Sequence, residues 1–222
     1  MNQNSNFTHS KITTGKSSGF LRFWHWTNML VLSGSLLTVV ITATVMKTSG
    51  VSNLLKEGLA KSGINIKQEV INSTAQRITD SFWFLHLYFG YALTALLMFR
   101  LLLECFQMRE QKLIRSLKKL AVIYKSNHQN YQARHLLIVK IIYMIFYLAL
   151  IVMVCTGLFI GYGTSLSFYN AVIGPVRAVH SAGFYFMLIF IFTHLCGVYL
   201  AEKGRSPGIV SGMIHGKPPV EL

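Results

Sequence analysis

The chain has 222 residues, a formal net charge of +14 and 52% hydrophobic residues, and only 13% of its residues are charged. A soluble domain usually carries about 25% charged residues, and lipid offers no water to the backbone of an open sheet. The composition therefore excludes a soluble domain and points to an all-α integral membrane protein. The basic residues fall between apolar runs rather than in one patch, which argues against nucleic acid as a partner and makes them topology signals.

Residues 1–19 are rich in Ser, Thr and Asn and lack the apolar core of a cleavable signal peptide. They are expected to form a flexible tail. The first predicted span covers about residues 20–46 and opens with RFWHWTN, in which Trp24 and Trp26 flank His25. Paired tryptophans suit the headgroup boundary.

Residues 47–80 form a polar stretch in which Leu54, Leu55 and Leu59 recur at helical spacing, the mark of a short interfacial helix. Residues 67–80 are expected to begin the next helix outside the membrane. The second span covers about 81–103, with His86 near its start, Gly90 one turn further on the same face, and Arg100 near its far end. Arg100 is expected to snorkel to the interface. Residues 104–134 hold seven basic residues, with Leu113, Leu117, Leu120 and Tyr124 at spacings of three and four. That pattern describes a basic amphipathic helix on an anionic membrane face.

The third span covers about 135–160 and has no internal histidine. Thr156 and Gly157 give it a small patch for close approach of a helix or ligand. Residues 161–176, with Pro175, read as a short uncharged loop. The fourth span covers about 178–201 and carries His180 and His194, and residues 202–222 form a polar tail. Cys105, Cys155 and Cys196 lie far apart with no Cys-x-x-Cys pair, so the spacing of an iron–sulfur cluster, structural zinc or covalently attached haem is absent.

Four spans put both termini on one side. Thirteen Lys and Arg residues fall on that side, in the N-terminal tail, the middle loop and the C-terminal tail. Five fall on the other: Lys47, Lys56, Lys61, Lys67 and Arg77. The excess predicts cytoplasmic termini.

The histidines carry the functional expectation. An ionisable residue inside a span marks function by default, because unpaired in hydrocarbon it costs several kcal/mol. His180 and His194 are fourteen residues apart. That is about 1400° of helix, within about 40° of four turns, and about 21 Å of rise. They share a face at two depths. With cytoplasmic termini, His25 matches the depth of His194 and His86 matches that of His180. Two depth-matched imidazole pairs predict two stacked b-type haems, His25 and His194 holding the iron on the cytoplasmic side and His86 and His180 the iron on the periplasmic side. Each ligand should donate its other ring N–H to a nearby acceptor, and Ser181 and Thr193 are the neighbouring hydroxyls.

RFWHWTN, His86 followed by LYFGYALTALLMFRLLLE, VHSAGFYFMLIFIFTH and the tail segment SPGIVSGMIHGKP together resemble the dihaem cytochrome b family. That family includes the membrane subunits of nickel–iron hydrogenases, formate dehydrogenases and thiosulfate reductases. The resemblance spans the chain from Gly19 onward. It implies a four-helix cytochrome b domain over residues 20–201 in the bacterial cytoplasmic (inner) membrane, with the same histidine pairs as haem ligands. It also implies menaquinone or ubiquinone chemistry near the cytoplasmic-side haem, and a periplasmic iron–sulfur or multihaem subunit as electron-transfer partner. The function expected is a respiratory membrane anchor passing electrons between that partner and the quinone pool. The family also contains stand-alone members that oxidise superoxide and reduce quinone, so a superoxide:quinone oxidoreductase is the alternative. Nine methionines raise a remoter one, a metal transporter with Met and His ligands.

Overall fold

The computed structural model describes residues 19–106, 113–126, 131–203 and 209–216, and every element among them is helical. Among the described residues four helices are long and apolar enough to cross a membrane: α1 (Gly19–Ala43), α3 (Gln68–Phe106), α5 (Tyr131–Tyr162) and α6 (Tyr169–Lys203). Three shorter ones join or follow them: α2 (Thr48–Lys61), α4 (Leu113–Ser126) and α7 (Ile209–His215). The predicted N-terminal tail lies outside the described residues, except for Gly19 at the start of α1.

The contacts divide the chain into two compact units. The larger joins Phe23–Gln107 to Ile145–Phe190. Its interior is built by Trp24, Leu32 and Leu36 of α1, Leu93 and Leu97 of α3, Phe146 and Leu150 of α5, and Met187 of α6, all buried. Alongside them α1 buries a polar stripe, Asn28, Ser35, Thr38 and Thr42. The opposite faces of the helices expose large apolar side chains such as Leu30, Leu101, Leu148 and Ile189. Water would penalise that surface, whereas lipid tails cover it at no cost.

α3 has 39 residues, about 58 Å of helix against a hydrocarbon thickness of about 30 Å. Its first turns carry the polar residues 68–80 beyond the apolar stretch, and α2 folds back onto them. Val51 and Ser52 of α2 and Ile71, Ala75 and Thr79 of α3 are buried in this hairpin. The Ser52 hydroxyl donates to Asn72 Oδ1 at 2.7 Å, and Thr79 donates to the Met46 carbonyl at 2.9 Å. Gly63 closes α2 with φ of 72°. Its N–H bonds the Ala60 carbonyl and that of Ile64 bonds Leu59, both at 3.0 Å, the paired bonds of a Schellman stop.

The predicted loop over 161–176 is a correction. α5 runs to Tyr162, a 3-10 turn covers Gly163–Ser165, and α6 already begins at Tyr169. Pro175 therefore lies inside a helix. It deletes one backbone bond near the start of α6, a local loss that leaves the helix continuous from Tyr169 to Lys203.

The second unit comprises Met1–Arg22, Met108–Met144 and Ile191–Leu222. α4 is the helix expected from the basic amphipathic pattern, and Val122 is 67% exposed on it. The expected polar tail contains α7. The N–H of Val210 donates to Glu202 Oε2 at 3.1 Å, and Arg22 reaches the Ile214 carbonyl at the other end at 3.4 Å. Gly216 follows with φ of 75°, against the Arg22 guanidinium.

Candidate functional site

The larger unit brings two of the four predicted histidines together. His86 stands on α3 and His180 on α6, and their ring centroids are 6.4 Å apart with the planes at 87°. α1 and α5 supply what holds them.

His86 Nδ1 lies 3.1 Å from Thr38 Oγ1, 3.3 Å from Ser35 Oγ and 3.2 Å from the Ser35 carbonyl oxygen. The Thr38 hydroxyl already donates to the Ser35 carbonyl at 2.6 Å, so toward the imidazole it can only accept. The proton therefore sits on Nδ1 of His86. His180 repeats the logic on α5. Its Nδ1 lies 2.9 Å from Thr156 Oγ1, whose own proton goes to the Val152 carbonyl at 2.6 Å, and the Met153 carbonyl is a further acceptor. Both rings are fixed as the Nδ1–H tautomer, and each Nε2 keeps a lone pair that none of these bonds uses. A metal-ligating histidine has this arrangement, with its second nitrogen tied to a hydroxyl or carbonyl.

The spacing fits an iron shared by the two rings. A metal–imidazole bond of about 2 Å and about 1 Å from nitrogen to ring centre, taken twice, give centroids roughly 6 Å apart. Gly157 shapes the site from behind, since a Cβ there would lie 3.2 Å from Cε1 of His180. One turn beyond His86, a Cβ on Gly90 would meet nothing within 4 Å, so a flat macrocycle can approach the backbone of α3. Trp83 closes on His86 edge to face, with centroids 5.8 Å apart. These residues fit a haem whose iron His86 and His180 would hold between them.

Sequence reasoning missed Ser35 and Thr38 and proposed Ser181 where Thr156 serves. The available signal was the period of Asn28, Ser35, Thr38 and Thr42, which places four polar residues on one face of an apolar span.

The other two predicted ligands lie on the same helices as parts of this site or next to them. His25 is in the first turns of α1, its ring edge-on to Trp26 at 5.6 Å. His194 is on α6, fourteen residues beyond His180. Their pairing is an inference from depth along the spans and belongs to the functional proposal.

Near His25 the larger unit holds a second polar cluster. Trp24 Nε1 donates to the Leu96 carbonyl at 2.8 Å, and its ring packs on Tyr147 with centroids 5.7 Å apart. Arg100 Nε donates to the Tyr147 hydroxyl at 2.9 Å, and its Nη1 lies 3.1 Å from Glu104 Oε2. The Arg100 side chain is 11% exposed. The Tyr147 hydroxyl and the Glu104 carboxylate give the guanidinium partners within the protein, and Glu104 lies toward the span end to which Arg100 was expected to reach. Arg205, Ser206 and Lys217, which lie on the side where quinone chemistry is expected, are outside the described residues.

Residues 16–216 match the family model described as prokaryotic cytochrome b561. Neither the curated proteins nor the solved structures give a match.

Proposed function

Since the chain belongs to the prokaryotic cytochrome b561 family, and is thereby a multi-pass membrane b-type cytochrome working in electron transfer, we propose that it holds two haems and links a periplasmic electron-transfer subunit to the quinone pool. Membership of this family displaces the metal-transporter reading. The observation that carries the proposal is the approach of His86 and His180, each with Nδ1 tied down and Nε2 available.

When bound, each haem supplies one reversible electron at its iron. The chain's residues do the rest. His86 and His180 would hold the iron of the periplasmic-side haem between them, an arrangement that favours electron transfer over oxygen chemistry. Thr38, Ser35 and Thr156 keep the imidazoles from turning and make them stronger ligands. His25 and His194 form the second pair, about 21 Å further along the spans, near the cytoplasmic face where menaquinone or ubiquinone exchanges electrons. The chain sits in the bacterial inner membrane with both termini in the cytoplasm, as its basic residues favour. The α2–α3 hairpin then faces the periplasm, where an iron–sulfur or multihaem subunit docks.

The test is haem content per purified chain, combined with reduction of the bound haem by added quinol. Two haems per chain, both reducible by quinol, support the reading. One haem per chain with all four histidines intact contradicts it.

A further inference from the structure

Within the larger unit, the α2–α3 hairpin reaches well out of the membrane. α3 is one uninterrupted helix, and Val70 precedes the start of the apolar run at Ser81 by eleven positions. That is about 16 Å of rise. The headgroup zone adds only about 5–8 Å on each side of the hydrocarbon. Val70, and Ile64 and Ile66 in the turn before α3, therefore stand in water, beyond the reach of lipid.

These side chains are open all the same. Ile64 is 50% exposed, Val70 49%, and Ile66 is exposed as well. The hairpin buries other residues, Val51 of α2 with Ile71 and Ala75 of α3. On α3 the exposed residues Lys67, Val70, Thr74, Arg77 and Ser81 follow one another at alternating spacings of three and four. That spacing makes a single stripe, and it lies on the side of α3 opposite the residues that meet α2. Exposed aliphatic side chains grouped in water mark a surface that another molecule covers.

Charge narrows what that molecule is. Lys61 is paired with Glu57 at 2.9 Å. Among the described residues Lys67 and Arg77 take part in no ion pair, and the stripe itself carries no acid. An apolar run flanked by two unpaired cations complements an acidic surface and repels a basic one. A second copy of the chain would bring the same two cations to the same face, which disfavours self-association there.

We propose that this stripe, with Ile64 and Ile66 at its tip, is the docking surface for an acidic electron-transfer protein. The partner's apolar patch covers Ile64, Ile66 and Val70, and its carboxylates meet Lys67 and Arg77. α3 carries the surface and His86 on one helix, with Arg77 nine residues from His86, about 14 Å. Docking here would fix the partner's approach to the site of His86 and His180. The inference rests on the reading that electrons enter on the hairpin side, and it names the residues that receive the partner.

The experiment is photo-crosslinking from Val70→p-benzoylphenylalanine in native membranes, with the adducts identified by mass spectrometry and haem counted per chain in the same preparation. The expected adduct is an acidic protein that carries haem or an iron–sulfur cluster. Arg77→Glu and Lys67→Glu should each lower its yield about fivefold, the effect of turning one exposed ion pair into a repulsion. Both residues are exposed, so both variants should keep the wild-type haem content. Adducts to lipid, to a second copy or to a protein without a redox group overturn the inference, as does the absence of any adduct. A redox-protein adduct whose yield neither charge reversal changes overturns it too. One haem per chain contradicts the two-haem reading and leaves the docking result to be judged by itself.

Discussion

The imidazoles of His86 and His180 meet from two different membrane helices with their centroids 6.4 Å apart, and each gives its Nδ1 to a threonine on a third or fourth helix. The relationship involves α1, α3, α5 and α6 at once, so the site reports on the packing of all four spans within the larger unit. It also makes the hydroxyl partners as testable as the ligands.

Thr156→Val removes the hydroxyl that accepts from His180 Nδ1 at 2.9 Å. The valine keeps the volume, so packing is nearly preserved. Loss of such a partner typically weakens metal affinity by roughly 10–100-fold. The haem proposed between His86 and His180 should be lost more readily on purification, while Thr156→Ser retains it. Haem-to-protein ratios of the two variants check this, and equal, undiminished ratios would show that Thr156 plays no part in holding the ligand.

Gly157→Ala places a methyl group 3.2 Å from Cε1 of His180. That contact is tight enough to push the imidazole off its position by a few tenths of an ångström. The reduced absorption spectrum should shift or weaken in the component lost by His86→Ala and keep the other component. An unaltered spectrum would mean that α6 has slack at this level.

The four spans, and the common level of His86 and His180, were legible in the sequence because hydropathy and helical period act locally. The partners of the histidines were not. Which hydroxyl reaches His180 depends on how α5 and α6 are rotated against each other, and the adjacent Ser181 lost to Thr156 on a neighbouring helix. The Tyr147 partner of Arg100 was hidden for the same reason, since only tertiary packing brings that hydroxyl to the guanidinium. Pro175 misled in the opposite direction, because a proline reads as a helix end while an apolar flank can carry the helix through it. α7 was hidden by its length, since a helix of 7 residues is below what periodicity can detect and depends on Glu202 and Arg22 at its two ends.

Gly63→Ala should lower thermal stability without touching the spectrum. Gly63 takes a φ of 72° to end α2, a conformation that costs an L-residue about 1 kcal/mol. The hairpin lies outside the apolar part of α3, so haem content should equal that of the wild type. A melting curve followed by circular dichroism, together with a haem assay, checks both halves of the statement.

The excess of basic residues fixes the expected topology. A reporter active only in the cytoplasm, fused after Leu222, should be active, and one inserted at Ser62 should be silent. The reverse pattern would exchange the sides assigned to the two histidine pairs.

The central claim is that the chain holds two haems as His86 with His180 and His25 with His194. The most direct test compares reduced-minus-oxidised spectra of His180→Ala and His194→Ala, with haem counted per chain. The two residues lie fourteen positions apart on α6, about 21 Å, too far to serve one iron. The account predicts that each variant keeps about one haem and that the two lose different spectral components, His86→Ala matching His180→Ala and His25→Ala matching His194→Ala. Loss of the same component in His180→Ala and His194→Ala would contradict it.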